Sequence, residues 1–385
     1  MTSSCRILDA DSVATIARDL RDRSAQRIAR YLIPLMQNGP AHFIDNAHVR
    51  MHALLIPGGE AERDDILLPI VVSDGYHGNS NVCSPYSHYV DYARAELAQV
   101  GPPATAHVLG AGLSALGMTL KGLQLDRVVY VNNFLWTTNP WPDVSASQLA
   151  LITRRLASTY PDHAVVCRSV NKTFTEGLFG RLRRNGYDMI PARRVYLMDG
   201  TSNLRRHRNV AHDLKLLDKG PYQVVENDVL TEQDLPRVTR FYRELYLGKY
   251  PSLNPQFNKR YFEMVRREDV MDFDTLRKNG QVAGYAGTIV EDGRMLGCVL
   301  GYDMTAPMRD GLYRRVIALF LRKTMERNVL LNLSAGAGRF KALRGGVPTT
   351  EYDAVYHAHL PPHRCLPWWI LRAIFTEALL KGFEG

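Results

Sequence analysis

A lysine just after a glycine-rich turn is the residue of this chain best placed to do chemistry. Lys341 falls in Arg-Phe-Lys-Ala-Leu (339–343), which reads as a short helix starting beside Gly336 and Gly338. An ammonium at a helix start can meet the oxyanion that forms when an amine attacks a thioester or ester carbonyl. Asn332 and Ser334 flank the same turn, where each either orients a donor carbonyl or caps the helix that follows. Arg344 offers a guanidinium fork to a phosphate or carboxylate, or forms a surface ion pair. Tyr302 and Asp303 end a predicted strand at the same opening. Asp303 either takes a proton from the attacking ammonium, because amine acyl transfer needs a neutral nucleophile, or forms a turn.

Such groups need elements to hold them. Residues 329–333 read as a strand, 334–338 as a turn, 339–343 as a helix followed by Arg344-Gly345-Gly346, and 351–359 as a returning strand. The same layout occurs earlier, with a strand over 164–170, a helix over 173–184 closed at Gly186, and a strand over 192–198. A strand, a turn, a Gly-closed helix and a returning strand make a crossover unit whose opening lies beside a helix N-terminus. Openings of this kind hold anions or developing oxyanions. Upstream of the second copy come a strand at 222–226, helices at 235–246 and 256–267, and strands at 271–276, 281–290 and 294–302. The last three are separated by the hairpin dipeptides Asn279-Gly280 and Asp292-Gly293, and a helix over 312–327 follows.

The twice-occurring layout resembles the second half of the GNAT acyltransferase fold, in which a splayed strand pair admits the acyl donor. The full element order is present over 221–360. Phe340-Lys341 followed by Arg344-Gly345 is similar to the matching stretch of the Fem-type aminoacyltransferases of peptidoglycan synthesis and their single-chain relatives. That resemblance implies a mixed α/β (α+β) chain of two tandem GNAT-like domains, each a central mixed sheet flanked by helices. It also implies that Lys341 stabilises the charged transition state of acyl transfer. Gly336, Gly338 and Phe340 then join Asn332, Ser334 and Arg344 on the donor side. By the same resemblance Lys249, Tyr250, Ser252 and Asn254, in the loop after the first helix, line the acceptor pocket; a rigid Pro-bounded connection is the alternative.

One departure bears on the donor. GNAT enzymes that use coenzyme A carry a Gln/Arg-x-x-Gly-x-Gly/Ala loop, whereas here 307–313 is Pro-Met-Arg-Asp-Gly-Leu-Tyr, with a bulky Tyr313 where a small residue is expected. Residues 138–143 of the first half contain no Gly. Pyrophosphate cradling is thus in doubt in both halves. The acyl donor is expected on coenzyme A, a carrier protein or tRNA, with no tightly bound cofactor and no metal.

The 385 residues exceed a single ordinary core, and 45% hydrophobic against 23% charged residues is the composition of a folded protein. The expected division is a first domain over 1–200, a linker helix over 201–219, and a second domain over 220–385 that carries the active site. The net charge of +9 includes an arginine-rich stretch from Arg181 to Arg208, either a site for a phosphate-rich partner or a solvated basic face. Five scattered cysteines show no metal or redox spacing, and residues 1–6 lead into polar sequence, so a cytoplasmic protein is expected. The apolar cluster at 366–383 is too short and too interrupted to span a membrane. It is either an amphipathic helix packed on the second domain or a surface for a membrane or partner. Together these features predict an amide-forming N-acyltransferase acting on a small-molecule amine. The alternatives are an aminoacyl-tRNA-dependent aminoacyltransferase and a non-catalytic binding protein.

Overall fold

The computed structural model describes residues 4–58, 65–75, 78–100, 103–248 and 252–382, without the side chains of 97–111 and 378–382. The chain divides into two compact units. Unit 1 comprises Met1–Ala192, Tyr250–Gln256 and Glu351–Gly385, and unit 2 comprises Arg193–Lys249 and Phe257–Thr350.

Unit 1 contains β1 (Arg6–Leu8), β2 (Arg50–Ile56), β3 (Ile66–Asp74), β4 (Arg127–Val131) and β5 (Ala164–Asn171). They pair in sequence order, antiparallel except for the parallel pair β4–β5, whose partners run from Val128↔Ala164 to Val131↔Cys167. All eight residues of β5 are buried, as expected for a strand covered on both faces. Val129, Val131, Val165 and Cys167 pack against Leu149, Ile152 and Leu156 of the helix Ala146–Thr159 and against Leu178 and Leu182 of Glu176–Arg184. The first of these helices starts at a capping box in which Ser145 and Gln148 satisfy each other's backbone N–H groups.

The strand β6 (Asp188–Asp199) leaves unit 1 at Ala192 and enters unit 2. There it is joined by β7 (Gln223–Val225), β8 (Asp272–Lys278), β9 (Gln281–Glu291), β10 (Arg294–Tyr302) and β11 (Leu330–Asn332), in the order β6-β11-β10-β9-β8-β7. Both hairpin dipeptides place each of their residues at positive φ, Asn279 at 51° with Gly280 at 76° and Asp292 at 47° with Gly293 at 71°, as tight two-residue turns require. The final strand, β12 (Val347–Tyr356), starts in unit 2 and ends in unit 1.

The two crossover units therefore exchange their closing strands. Following the first copy's helix, β6 pairs antiparallel with β11, and following the second copy's helix, β12 pairs antiparallel with β5. That exchange separates the compact units from the expected division at 200 and 220, because Glu351–Gly385 belongs to unit 1. The expected linker at 201–219 is also part of unit 2: Val210, Leu214 and Leu217 of the helix Arg208–Leu217 are buried in its core. The N-terminal segment forms two helices, Ala10–Ile16 and Arg23–Asn38, each started by an aspartate (Asp9, Asp22) that accepts a backbone N–H.

Candidate active site in the second unit

The parallel pair β10–β11 is short. Its partners are Arg294↔Leu330, Met295↔Leu331 and Leu296↔Asn332, while β10 itself runs on to Tyr302. Beyond Leu296 the two strands part, and at that point β10 carries a bulge between Gly297 and Val299 in its pairing with β9. The result is an open stretch of β10 edge from Gly297 to Tyr302, beside the turn that follows β11. Side chains gather along it. Cys298 is partly exposed there, and Tyr302 lies 5.8 Å from Tyr313, which in turn lies 4.8 Å from Phe340.

Tyr246 joins them from the π-turn Arg243–Leu247, stacked 4.7 Å from Tyr242. Burial and the neighbouring Tyr313 hold its phenol far above the ordinary range, against a hydrogen bond with the Leu300 backbone. Burial also pushes Tyr313 up to about 12, and it raises Tyr302. Near neutral pH all three are hydroxyl donors. Sequence reading missed Tyr246, because a widened helical turn has no residue signature; such turns recur at functional sites.

The turn after β11 is strained. Ser334 and Ala337 sit in the left-handed region at φ 58° and 49°, with Gly336 at 79°. Its shape is fixed from inside by Lys341, which is 4% exposed. The Lys341 Nζ donates to the carbonyl oxygens of Leu333 at 2.7 Å, Ser334 at 3.1 Å and Ala335 at 2.8 Å. Three donors meet three acceptors, so no N–H is left for an oxyanion. Burial and the Arg193 guanidinium push Lys341 down to about 7. The carbonyl cage opposes that shift, since a neutral amine has only two hydrogens for three acceptors. The structure thus gives Lys341 a positioning geometry where direct oxyanion contact was expected.

Other predicted residues fare differently. Asn332 accepts the Ser334 N–H at 2.8 Å, while its own Nδ2, in a residue 1% exposed, finds no partner. Ser334 is not the helix cap: the helix Gly338–Ala342 has Ala337 at its N-cap position and no side-chain cap. Gly338 is required, because a Cβ there would sit 2.3 Å from the Tyr196 hydroxyl. Arg344 is buried rather than open to a phosphate. It donates to Asp213 at 2.6 Å and to the Phe340 carbonyl, and it stacks 3.3 Å over the Phe340 ring. Asp213, with no exposed surface, also receives Arg314. Asp303 closes a turn through Thr305. Burial raises its carboxyl, but the Thr305 hydrogen bonds, Arg240 and Arg237 outweigh that and hold it below the ordinary value, which makes it a weak base.

Unit 2 does not contain all of the predicted acceptor residues. Ser252 and Asn254 belong to unit 1, where their carbonyls accept from the Asn46 amide. Lys249 and Tyr250 lie outside the described residues. The arginine-rich stretch divides as well, with Arg181, Arg183 and Arg184 on a unit 1 helix and Arg193 onward in unit 2. Among the described residues no cluster of histidine, cysteine or carboxylate groups could hold a metal. Among the same residues no helix is long and apolar enough to cross a membrane.

No protein-family model and no curated protein matches the sequence. Solved structures do match. The crystal structure of FemX aligns over 96% of this chain and 100% of its own, at 8% identity and a TM-score of 0.52. The chain has a FemX-like, tandem GNAT-like fold. A tandem GNAT protein from the clavulanic acid biosynthesis pathway aligns over 93% of this chain and 99% of its own, at 12% identity and a TM-score of 0.40. L-PGS from Bacillus licheniformis aligns over 60% and 79%, at 12% identity and a TM-score of 0.43.

Proposed function

We propose that the protein is an amide-forming N-acyltransferase whose reaction takes place in unit 2, at the edge of β10 exposed where β10 and β11 part. The observation that carries this is the early end of the strand pairing at Leu296↔Asn332 while β10 continues, bulged and lined by Cys298, Tyr246, Tyr302 and Tyr313. An acyl chain laid along that edge would add to it as a strand does, and the backbone N–H groups it met there would polarise the donor carbonyl.

The chemistry balances as follows. The neutral amine nitrogen adds to the donor carbonyl carbon, the carbonyl electrons move to oxygen, and their return expels the thiolate or alkoxide. A tyrosine hydroxyl at the edge gives its proton to the leaving group and regains one from the amine's surplus proton, directly or through solvent, so one proton is lost and one gained. Lys341 acts through the turn, which its ammonium holds in shape. Tyr302 and Phe340 shape the acyl channel, and Asn332 holds Ser334.

The donor is carried on something other than free coenzyme A in this reading. At the start of the helix Leu312–Arg327, where a pyrophosphate would be cradled, Asp310 is held by the Tyr222 hydroxyl at 2.6 Å. Arg315 is spent on the carbonyls of Asp310, Leu216 and Lys219. A carboxylate at that position repels phosphate. This favours the second reading, an aminoacyl-tRNA donor, over an acyl-CoA one; an acyl carrier protein remains the third source.

Radiolabelled acyl-CoA, acyl carrier protein and aminoacyl-tRNA, each incubated with a pool of small amines, test the proposal. Amine-dependent loss of label from one donor, with the label recovered as amide, supports it. No amine-dependent transfer from any donor contradicts it.

A further inference from the structure

Unit 2 carries a cationic surface that the proposed chemistry does not use. In the helix Arg208–Leu217 the residues Val210, Asp213, Leu214 and Leu217 are buried. The helical period then puts Arg208, His212 and Lys215, at i, i+4 and i+7, along one stripe on the opposite side, and all three are exposed. Arg205 and Arg206, in the turn just before the helix, are exposed as well.

Other helices of unit 2 treat their outer arginines differently. Arg240 pairs with Glu244 and Arg322 with Glu326, each at i, i+4. Between residues 205 and 219 the acids are Asp213 and Asp218. Asp213 faces inward and is taken up by Arg314 and Arg344. Among the described residues, the side chains of Arg205, Arg206, Arg208 and Lys215 make no hydrogen bond or ion pair, with Asp218 or with any other group. Nor does helix stability account for them. Arg206 and Arg208 flank the N-cap residue His207, where no side chain caps the helix and where cations oppose its dipole. Apolar chain borders the stripe. Asn209 and Leu216, seven residues apart, share one flank, and the Asn209 Nδ2 donates to the Leu343 carbonyl at 3.2 Å. That bond brings the Leu343 backbone to the flank, and Leu343 is 52% exposed.

We propose that this stripe docks an acidic helix of a partner protein. Two helices share one rise per residue, so carboxylates at i, i+4 and i+7 of the partner fall opposite Arg208, His212 and Lys215, while Leu216 and Leu343 meet an apolar flank. RNA is the other polyanion to weigh. Surfaces that grip single strands interleave cations with aromatic rings, and residues 204–219 contain no Phe, Tyr or Trp. This docking stands independently of the acyl-transfer reading.

The test uses the full chain and three fluorescent probes: a stapled alanine helix with Glu at i, i+4 and i+7 and Leu along one flank, the same helix with Gln for Glu, and an RNA hairpin. Anisotropy at low ionic strength should show saturable binding of the acidic helix, at least tenfold weaker binding of the Gln control, and an affinity that falls as salt rises. The double variant Arg208→Glu, Lys215→Glu should lose at least tenfold in affinity, because like charges then face each other. The neutral pair Arg208→Gln, Lys215→Gln should lose less, in the same direction. All substituted positions are exposed, and unchanged melting temperatures keep the losses attributable to the surface. No binding of the acidic helix, equal binding of the Gln control, or binding that both double variants keep would overturn the proposal. So would tighter binding of the hairpin that the double variants remove, since RNA would then be the occupant.

Discussion

Each unit contains one parallel strand pair that ends early, and the two pairs end differently. In unit 1 the pairing of β4 with β5 stops at Val131↔Cys167, and the chain then fills the gap itself. Asn139 donates its backbone N–H to the Ser169 hydroxyl at 3.0 Å, Trp141 donates to the Arg168 carbonyl at 2.7 Å, and Arg168 returns a bond to the Trp136 carbonyl at 3.2 Å. Phe134 and Trp136 stack 4.8 Å apart beneath Tyr31, and none of these side chains exceeds 6% exposure. In unit 2, among the described residues, the edge of β10 beyond Leu296 meets the Tyr246 phenol at the Leu300 backbone, and Cys298, Leu300 and Tyr302 remain partly exposed. One topological gap is a packed polar core and the other is a candidate site. Topology supplies the opening, and the connecting loop decides whether it is used.

The largest effect should come from cutting the chain at the expected domain boundary. Residues 1–200 lack β12, which pairs with β5, and residues 201–385 lack β6, which pairs with β11. Each piece would leave a long strand edge bare. Expressed apart, both should aggregate or lack cooperative unfolding, and two sharp independent melts would show that the exchange is dispensable.

Next is the plug of unit 1. Trp136→Ala should cost about 4 kcal/mol of stability through cavity formation and leave the acyl-transfer turnover constant unchanged; a fall in turnover at a temperature where the variant is folded would place chemistry in unit 1. Lys341→Met leaves the Leu333 and Ala335 carbonyls without the ammonium, while Ser334 keeps the Tyr196 N–H, and should cost about 3 kcal/mol. Turnover should fall with it, and Lys341→Arg should recover stability only in part because a planar fork cannot fill three convergent sites. Full turnover in Lys341→Met would remove the turn from the mechanism.

Tyr246→Phe should lower turnover about a hundredfold, the contribution of a positioned proton donor, at a stability cost of about 1 kcal/mol. An unchanged rate would make Tyr246 a packing residue. The smallest effect concerns unit 1 and pH. His163 and His359 are held below their ordinary value of 6.5, first by burial. A histidine with a depressed folded-state pKa charges more readily unfolded, so its contribution is intact above 6.5 and is lost as pH falls through that value. Thermal melts from pH 7.5 to 5.5 should show falling stability, weakened in His359→Asn. A flat profile would contradict the assignment.

Much of this was legible in the sequence because it is local. The two Asn-Gly and Asp-Gly hairpins, the helix Leu312–Arg327 ending at a left-handed Asn328, and the Gly-rich turn before Lys341 all follow from short-range backbone preferences. The exchange of β6 and β12 was not legible, since both strands satisfy the same alternation whichever sheet they join. Nor was the helix Pro103–Gly122, whose four glycines and absence of charge before Lys121 hide its period. For the site, the turn after β11 does bring Asn332, Ser334 and Lys341 together, through the Asn332 bond to the Ser334 N–H and the Lys341 bonds to the turn carbonyls. Their directions were not: whether Lys341 faces an opening or three carbonyls depends on left-handed φ angles at Ser334 and Ala337 that those residue types rarely adopt.

A thiol stands at each gap, which allows the central claim to be tested in one tube. Cys167 of β5 is fully buried and its thiol is pushed up by burial, whereas Cys298 of β10 is partly exposed at the opening. Iodoacetamide, a small electrophile that needs no donor-specific recognition, is incubated with the folded protein and the alkylated peptides are mapped. The account predicts that Cys298 is modified first, that turnover falls in step with its modification, and that Cys167 stays free. Modification of Cys167 ahead of Cys298, or full turnover after Cys298 is alkylated, would contradict it.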